Sequence, residues 1–267
     1  MNIVVCVKYV PDATADRKFE DDWTVDRVGV DGLLSELDEY AVEQALQFRE
    51  KREGEDITIT ALCVGPAKAV DAVRKSLQMG LDKGVHVVDD AIAGSDYIAT
   101  SLVLAKAIEK IAETDGGVDL VVCGMASTDA AGSVVPAMLA ERLGLPQLTF
   151  AKEVTADGSG SISIKRLTDD GYLAVEASLP AVVSVVEKIN EPRYPSFKGI
   201  MAAKKKPVET FALADLGIEA SDVGLGGAWS SVESFENAPP RQAGTVVADD
   251  GDGADKLVDF LASKKFV

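Results

Sequence analysis

The residues best suited to chemistry form a run of small and hydroxyl-bearing side chains after an apolar segment. The run reads Gly124-Met125-Ala126-Ser127-Thr128-Asp129-Ala130-Ala131-Gly132-Ser133 and follows Leu120 to Cys123. Small side chains let backbone N–H groups and a helix N-terminus approach a phosphate, and Ser127, Thr128 and Ser133 add hydroxyl donors. The run is a candidate anion-binding loop. A simple tight connection between a strand and a helix is the alternative.

Residues for acid-base, nucleophilic or metal chemistry are scarce. His86 is the single histidine, and its setting in a Val-rich run favours a structural role over that of a general base. The sequence contains neither a G-x-S-x-G elbow nor an H-E-x-x-H helix. The three cysteines are Cys6, Cys63 and Cys123; they are far apart in Val-rich runs and predict buried thiols, not a metal site. The sequence thus argues against a hydrolase or a metalloenzyme.

Composition and charge limit the class of protein further. No apolar run approaches the roughly 20 residues that a membrane-spanning helix needs. The start, Met1 to Lys8, lacks a basic segment and a cleavage site, and it predicts a buried strand in a cytoplasmic protein. Acidic residues outnumber basic ones by 44 to 27, and a formal charge of −17 repels phosphate backbones. We therefore do not expect general binding to nucleic acids.

Alternating apolar runs and amphipathic segments predict an α/β fold with a parallel sheet. The runs are Ile3 to Val7, Ile57 to Val64, Gly84 to Val88 and Leu120 to Cys123. Between them, apolar residues recur at three- and four-residue steps, as in Val70, Val73 and Leu77, and in Ile98, Leu102, Ala105 and Ile108. This alternation is typical of parallel strands connected by crossover helices.

Three loops should meet at the carboxyl edge of this sheet, where open α/β sheets bind ligands. Two of them follow the strands that end near Cys6 and Val64, and the third is the loop that begins at Gly124. Cys6, Leu37 and Val64 could line an adenine, although a core role is an open alternative. Ser35 with Asp38 predicts a capping arrangement for the helix that follows.

The remaining segments predict accessory structure. Asp12 to Leu34 is longer than an ordinary strand-to-helix connection, and Trp23-Thr24-Val25 with Val28-Gly29-Val30 predicts a small hairpin. Three runs after Pro146 predict an antiparallel meander, with Ala181 to Val186 as a further strand; the runs are Thr149 to Val154, Ser161 to Leu167 and Tyr172 to Ala177, the first two joined by Asp157-Gly158-Ser159-Gly160. Beyond Pro207 we expect an extended arm that ends in a short helix around Leu257 to Leu261.

A Pro-rich run presents aromatic side chains for contact with a partner. Prolines at 192 and 195 restrict the backbone, and Gly199 frees it, so the run from Glu191 to Met201 predicts an exposed loop carrying Tyr194 and Phe197. The alternative is a connection whose aromatics fold back onto the core. Lys204-Lys205-Lys206 is a concentrated positive patch, either for an acidic partner or as a solvated helix end.

These residues resemble the beta (small) subunit of electron-transfer flavoproteins, nearly from end to end. The most specific piece runs from Asn190 to Lys206, with an Asn-Glu-Pro-Arg-Tyr stretch, a variable loop, Ile-Met, Ala and consecutive lysines. Supporting matches are Val4 to Val10, Glu39 to Ala45, Val64 to Ala67, Val118 to Gly124, Leu179 to Val183, Pro239 to Arg241 and Ala243-Gly244.

The resemblance implies a core of the adenine-nucleotide alpha-hydrolase-like type that binds AMP structurally. It also implies a larger alpha subunit that holds most of the FAD. Carried over by position, the AMP contacts would be Cys6, Ser35, Glu36, Leu37, Asp38, Val64, Gly124, Met125, Ala126, Ser127, Thr128, Asp129, Ala130, Ala131, Gly132, Ser133, Val134 and Val135. The edge of the FAD would lie near Ala13 and Leu37, where the family often has aromatic residues.

The resemblance further implies an electron carrier whose Pro-rich loop recognises acyl-CoA dehydrogenases of fatty acid oxidation. The loop would comprise Tyr194, Pro195, Ser196, Phe197, Lys198, Gly199, Ile200 and Met201, with Phe197 as the apolar anchor. A quinone oxidoreductase would receive the electrons. The implied organisation is a nucleotide-binding domain at 1–190, a recognition segment at 191–207 and an arm at 208–267 that packs on the alpha subunit.

Two other functions share part of this pattern. An electron-bifurcating subunit would hold a second FAD in place of AMP. A stand-alone ATP-binding stress-type protein would share the core, but it should show a glycine-rich phosphate motif and would not need the recognition loop or the C-terminal arm.

Overall fold

The computed structural model describes residues 1–15, 18–27, 29–156, 160–236, 238–241 and 243–267. The chain divides into two compact units, Met1–Val232 and Glu233–Val267. Within the described residues, no helix is both long and apolar enough to cross a membrane. Each unit is described by itself.

Nine strands of the first unit form one sheet in the order β11-β5-β4-β1-β6-β10-β7-β8-β9. The strands from β11 to β7 pair in parallel, whereas β7, β8 and β9 pair antiparallel. The sheet strands are β1 (Asn2–Cys6), β4 (Thr58–Val64), β5 (Lys83–Val87), β6 (Leu120–Gly124), β7 (Gln147–Ala156), β8 (Ser161–Thr168), β9 (Gly171–Ser178), β10 (Ala181–Val185) and β11 (Val208–Phe211). The predicted α/β class, parallel strands and meander are confirmed; the predicted turn residues Asp157, Gly158 and Ser159 lie outside the described residues.

Helices cover both faces of the parallel part, so its strands are buried on both sides. Successive side chains of β1 alternate between the faces: Ile3 and Val5 pack in the cluster with α1 and α2, and Val4 packs with α3 and α4. The helices are α1 (Glu36–Glu50), α2 (Val70–Met79), α3 (Tyr97–Asp115), α4 (Val135–Leu143), α5 (Phe197–Ala203) and α6 (Gly224–Gly227), and short 3-10 turns lie at Ala67–Ala69, Asp90–Ile92, Leu213–Leu216 and Ala220–Asp222.

The long connection after β1 contains two antiparallel pairings. Strand β2 (Tyr9–Pro11) pairs with β3 (Gly32–Leu34), and a bridge joins Phe19 to Val25. The small hairpin predicted within this insertion corresponds to the antiparallel bridge between Phe19 and Val25; Val28 lies outside the described residues. The insertion is closed at its base because β2 and β3 hydrogen-bond next to the end of β1.

The chain after Pro207 rejoins the sheet before it extends. Strand β11 pairs in parallel with β5, and Leu213, Leu216 and Val223 are buried in the core. The prediction of an extended arm directly after Pro207 is therefore wrong for the first residues of this part, which form a strand and pack in the core. In the second unit, the predicted terminal helix is present as α7 (Gly253–Ser263), and its apolar side chains Leu257, Val258 and Phe260 are exposed.

Close packing between α2 and β5 gives a test of this fold. A Cβ added at Gly84 would overlap the side chain of Val73, whereas no described atom lies within 4 Å of a Cβ added at Gly226. We expect Gly84→Ala to lower the free energy of unfolding by about 2 kcal/mol, because a tightly packed interior does not accept extra volume. Urea unfolding measures the change.

The matched control is Gly226→Ala, the same substitution in open space, for which we expect a change within about 0.5 kcal/mol. Equal stability of both variants would contradict the described packing of α2 on β5.

Candidate functional site

The loops after β1, β4 and β6 lie together at the carboxyl edge of the sheet. The chain adds β4 and β5 on one side of β1, and β6 and β10 on the other. The strand order therefore reverses at β1, and such a switch point is where open α/β sheets bind ligands. Cys6, Val64 and Gly124 end three neighbouring strands here, as predicted.

The N-terminus of α1 is tied to two of these loops. The Ser35 N–H donates to the Lys8 carbonyl at 2.9 Å, and the Asp38 carboxylate accepts from the Lys8 N–H at 2.8 Å. The Ser35 hydroxyl accepts from the Thr128 N–H at 3.4 Å. Ser35 occupies the N-cap position, but its hydroxyl does not accept a bond from α1. The expected side-chain capping is thus wrong: these two side chains join α1 to the loops after β1 and β6.

A carboxylate between two cations forms the charged centre of the site. Asp129 Oδ1 lies 2.9 Å from Lys8 Nζ, and Asp129 Oδ2 lies 2.7 Å from Arg27 Nη2. The Asp129 side chain is only 3% exposed, and Lys8 Nζ also approaches the Ser127 hydroxyl at 3.4 Å. Arg27 Nη1 is buried and has no hydrogen-bond partner among the described residues. This unused donor fits an anion.

The environment shifts the pKa of Asp129, Lys8 and Asp38. Burial alone would raise the pKa of Asp129, but Lys8 and Arg27 outweigh it and hold the pKa below its ordinary value. Burial lowers the pKa of Lys8, and Asp129 opposes that shift. Burial raises the pKa of Asp38 to about 8, although the Lys8 N–H and the Lys8 charge favour its ionised form. A buried carboxylate pair with different pKa values thus flanks Lys8.

The loop from Gly124 to Val135 contains two residues in the left-handed backbone region before α4 begins. Ala131 and Ser133 have positive φ angles of 50° and 55°, and the Tyr97 hydroxyl holds the loop by donating to the Ala130 carbonyl at 3.1 Å. Helix α4 follows, with no side-chain cap among the described residues. Backbone N–H groups at such a turn and helix N-terminus suit a phosphate.

Gly124 is required by the close approach of α1. A Cβ at this position would lie 2.7 Å from Asp38 Oδ1 and 2.9 Å from the Leu37 carbonyl oxygen. The glycine therefore lets the strand end meet the helix N-terminus that carries Ser35 and Asp38.

The other positions predicted for the nucleotide and FAD sites differ in how far they are buried. Cys6 is buried at the end of β1, and Val64 and Leu37 are half-buried; Glu36 and Ala130 are exposed. Met125 and Ala126 lie half-buried in the loop. Ala13, predicted near the FAD, lies exposed after β2 and takes no part in these hydrogen bonds. The structure therefore joins the predicted positions of α1 to the loop after β6.

The three cysteines and the single histidine are buried, as the sequence predicted. Burial raises the pKa of the Cys63 thiol to about 12, and all three cysteines are buried and free. His86 is buried in β5, with Nε2 3.2 Å from the Gly65 carbonyl oxygen, and burial lowers its pKa. The described residues contain no cluster of three or more metal-ligating side chains.

Sequence reasoning missed the two cations of the site. Lys8 lies two residues after the apolar strand β1, at the carboxyl edge of the sheet, and this position in the sequence could have marked it as a site residue. Arg27 lies in the irregular insertion, where no periodic pattern marks it. Only the folded chain brings it to Asp129, which is 102 residues away in the sequence.

The Pro-rich segment presents its aromatics to solvent. Tyr194 is 93% exposed and Phe197 is 80% exposed, and Ile200 and Met201 extend the apolar surface. The expected loop is in part a helix: α5 begins at Phe197, and the Ser196 hydroxyl accepts from the Gly199 N–H at 3.0 Å. The alternative in which both aromatics fold back onto the core is excluded for this unit.

The lysine triplet divides into two roles. Lys204 and Lys205 are exposed, whereas the Lys206 ammonium is turned inward and donates to the Leu77 and Leu81 carbonyls. Lys198, Lys204 and Lys205 therefore provide the outward positive charge beside the exposed aromatics.

Removal of the central carboxylate tests the charged cluster. We expect Asp129→Asn to lower the free energy of unfolding by about 2 kcal/mol at pH 7, because Lys8 and Arg27 lose their shared partner. Because the pKa of Asp129 is lower in the folded state, this stabilisation is present above the ordinary value of 3.8 and is lost as the pH falls through the folded value. Urea unfolding at several pH values measures both effects.

The matched control is Glu153→Gln, which removes a 2.7 Å pair between Glu153 and Lys165 at the surface. We expect a change below about 0.5 kcal/mol for this exposed pair. Equal losses in both variants would contradict a buried, shared carboxylate.

Comparison with known proteins agrees with this architecture. A family model described as the electron transfer flavoprotein domain matches residues 22–216. The chain is 49% identical over 269 residues to an electron transfer flavoprotein subunit beta of Mycobacterium bovis, covering 100% of this chain and 99% of the relative. It is 34% identical to a protein of the same name from Megasphaera elsdenii, covering 99% and 97%, and 37% identical to protein FixA of Azorhizobium caulinodans, covering 85% and 81%. The chain therefore belongs to the electron transfer flavoprotein family, as a beta subunit.

Proposed function

We propose that this beta subunit binds AMP at the carboxyl edge of its sheet, within a heterodimer whose alpha subunit holds most of the FAD. The observation that carries the AMP proposal is the cluster of Lys8, Arg27 and Asp129 beside the loop from Gly124 to Val135. It supplies cations, an unused buried donor and backbone N–H groups for one phosphate. Cys6, Leu37 and Val64 offer small apolar surfaces for the adenine.

The cofactor supplies the redox chemistry, and this chain supplies structure and docking. FAD accepts and releases the electrons when bound, and the protein positions it. His86 is held in β5 against the Gly65 carbonyl, and burial raises the pKa of the Cys63 thiol to about 12. We propose that the subunit acts in an electron carrier without catalytic residues of its own. The Leu37 carbonyl lies beside Gly124 at the carboxyl edge of the sheet, and the proposal also places the edge of the FAD near Ala13 or Leu37.

Docking of electron donors would use the surface from Tyr194 to Met201. This surface combines exposed aromatic residues with Lys198, and residues 192–208 contain no acidic side chain in a chain of charge −17. Aromatic anchors dominate the energetics of many interfaces, and complementary charge speeds transient encounters. We propose that acyl-CoA dehydrogenases donate electrons here and that a quinone oxidoreductase accepts them from the complex.

The C-terminal part would bind the alpha subunit. In the second unit, α7 exposes Leu257, Val258 and Phe260 on a short helix. An exposed apolar helix face usually marks a binding surface. In this proposal, residues 1–190 bind the nucleotide and residues 191–207 bind the electron donor. The chain after residue 207 first adds a strand to the sheet and then binds the alpha subunit.

The bound nucleotide provides the direct test of the cofactor proposal. Purified heterodimer, denatured and analysed by chromatography, should release one FAD and one AMP per complex. Arg27→Gln should lower the AMP content and leave the FAD content unchanged, because the guanidinium faces the proposed phosphate.

Two results would overturn the proposal. Release of two FAD molecules would indicate an electron-bifurcating subunit, and release of ATP with turnover would indicate a nucleotide-hydrolysing protein. The control for the Arg27 variant is Arg52→Gln, an arginine that pairs with Glu55.

Truncation of the exposed aromatic tests the docking surface. We expect Phe197→Ala to raise the KM for the heterodimer in its reduction by an acyl-CoA dehydrogenase by about thirtyfold, since an aromatic anchor contributes about 2 kcal/mol. The FAD content should not change. Stopped-flow and steady-state flavin reduction measure the effect.

The matched control is Tyr172→Ala, an aromatic 60% exposed on β9. The heterodimer with this change should be reduced normally. An unaltered KM in Phe197→Ala would remove this residue from the anchor role.

A further inference from the structure

The exposed recognition segment is fastened at its base by one arginine. Arg193 Nε lies 2.7 Å from Glu43 Oε2, and Nη2 lies 2.9 Å from Glu43 Oε1. The same guanidinium reaches Glu50, with Nη1 2.6 Å from Oε1 and Nη2 3.0 Å from Oε2. The Arg193 N–H also donates to Glu43 Oε2 at 3.2 Å. One planar cation is therefore paired with two carboxylates in fixed directions.

Both carboxylates belong to the same face of α1. Glu43 and Glu50 are seven residues apart, which is close to two helical turns. The Asn190 side-chain N–H donates to the Tyr40 carbonyl at 3.0 Å, one turn earlier on the same helix. The start of the segment thus lies along α1 and is held over three turns.

The far end of the segment is fastened to another helix. Lys206 donates to the Leu77 carbonyl at 3.1 Å, near the end of α2, and Arg74 Nη1 donates to the Lys206 carbonyl at 3.2 Å. Between the two fastened ends lie Tyr194 and Phe197, the most exposed aromatics of the segment. Their direction depends on how the ends are held, because neither aromatic packs into the core.

We propose that Arg193 is a positioning residue for docking, which holds Tyr194 and Phe197 in the geometry that the electron donor binds. The inference rests on the proposed function of this surface. An ordered segment loses less conformational entropy on binding than a mobile one, and binding is correspondingly tighter. Arg193 is 35% exposed in its side chain and need not touch the donor itself.

Glu43 and Glu50 differ in exposure, and this difference allows an effect on docking to be distinguished from an effect on the stability of the fold. The Glu43 side chain is 4% exposed, so its loss would leave buried groups unpaired. The Glu50 side chain is 55% exposed, and an exposed pair contributes little to the stability of the whole fold. The contacts of Arg193 with Glu43 and Glu50 form a clamp on the start of the segment. Glu50→Gln therefore weakens this clamp with little effect on the stability of the fold.

Kinetics of the heterodimer test the proposal. The donor is an acyl-CoA dehydrogenase encoded in the same genome, reduced by its acyl-CoA substrate. Glu50→Gln and Arg193→Lys should each raise the KM for the heterodimer by about threefold to tenfold, the effect of ordering one or two side chains, with unchanged kcat and FAD content. The control is Glu113→Gln, an exposed glutamate paired with Lys110 on α3.

A spin label gives a readout that does not depend on activity. The cysteines of this chain are buried, so a nitroxide attached to Lys198→Cys before the alpha subunit is added reports on the segment. Its motion should become faster in combination with Glu50→Gln or Arg193→Lys, and it should stay unchanged with Glu113→Gln.

The outcomes separate this inference from the proposed function. A raised KM in Phe197→Ala together with normal KM and normal label motion in both clamp variants would refute the positioning role alone. A normal KM in Phe197→Ala would remove Phe197 from the anchor role and would overturn this inference, which depends on that role. If the Arg193→Lys heterodimer does not assemble, the Glu50→Gln variant decides the result.

Discussion

The arrangement of the carboxyl edge of the parallel sheet depends on the pairing of Asp129. A carboxylate removed from solvent is unstable unless cations compensate its charge, and Lys8 and Arg27 do so. These residues come from the end of β1, from the insertion and from the loop after β6. The pairing therefore joins three distant segments of the chain at the point where the strand order reverses.

The same requirement explains the polar residues around the cluster. Asp38 accepts the Lys8 N–H, and Ser35 accepts the Thr128 N–H, so the helix that follows the insertion is tied to both loops. Gly124 permits this close approach, since a side chain would meet Asp38 and the Leu37 carbonyl. The result is a frame of three joined segments, in which Arg27 Nη1 has no hydrogen-bond partner among the described residues.

Helix α1 connects the two proposed activities of the subunit. Its first turn, with Asp38, contacts the loop after β1, and its middle and last turns, with Glu43 and Glu50, hold Arg193. A single helix thus supports both the proposed nucleotide site and the segment that presents Phe197. Mutations in α1 should accordingly be assessed for both readouts.

The sequence by itself determined the α/β class, four of the parallel strands, the meander and the structural role of His86, because these follow from local periodicity. For the Pro-rich run it left open whether the aromatics are exposed or fold back onto the core. Only the tertiary structure decided which residues and strands pair with one another. Ser35 and Asp38 bind distant loops and not their own helix, β11 returns to the sheet, and Arg27 reaches Asp129. Local patterns in the sequence indicate which residues are buried. The pairing of charged side chains and the pairing of strands depend on distances that exist only after the chain has folded.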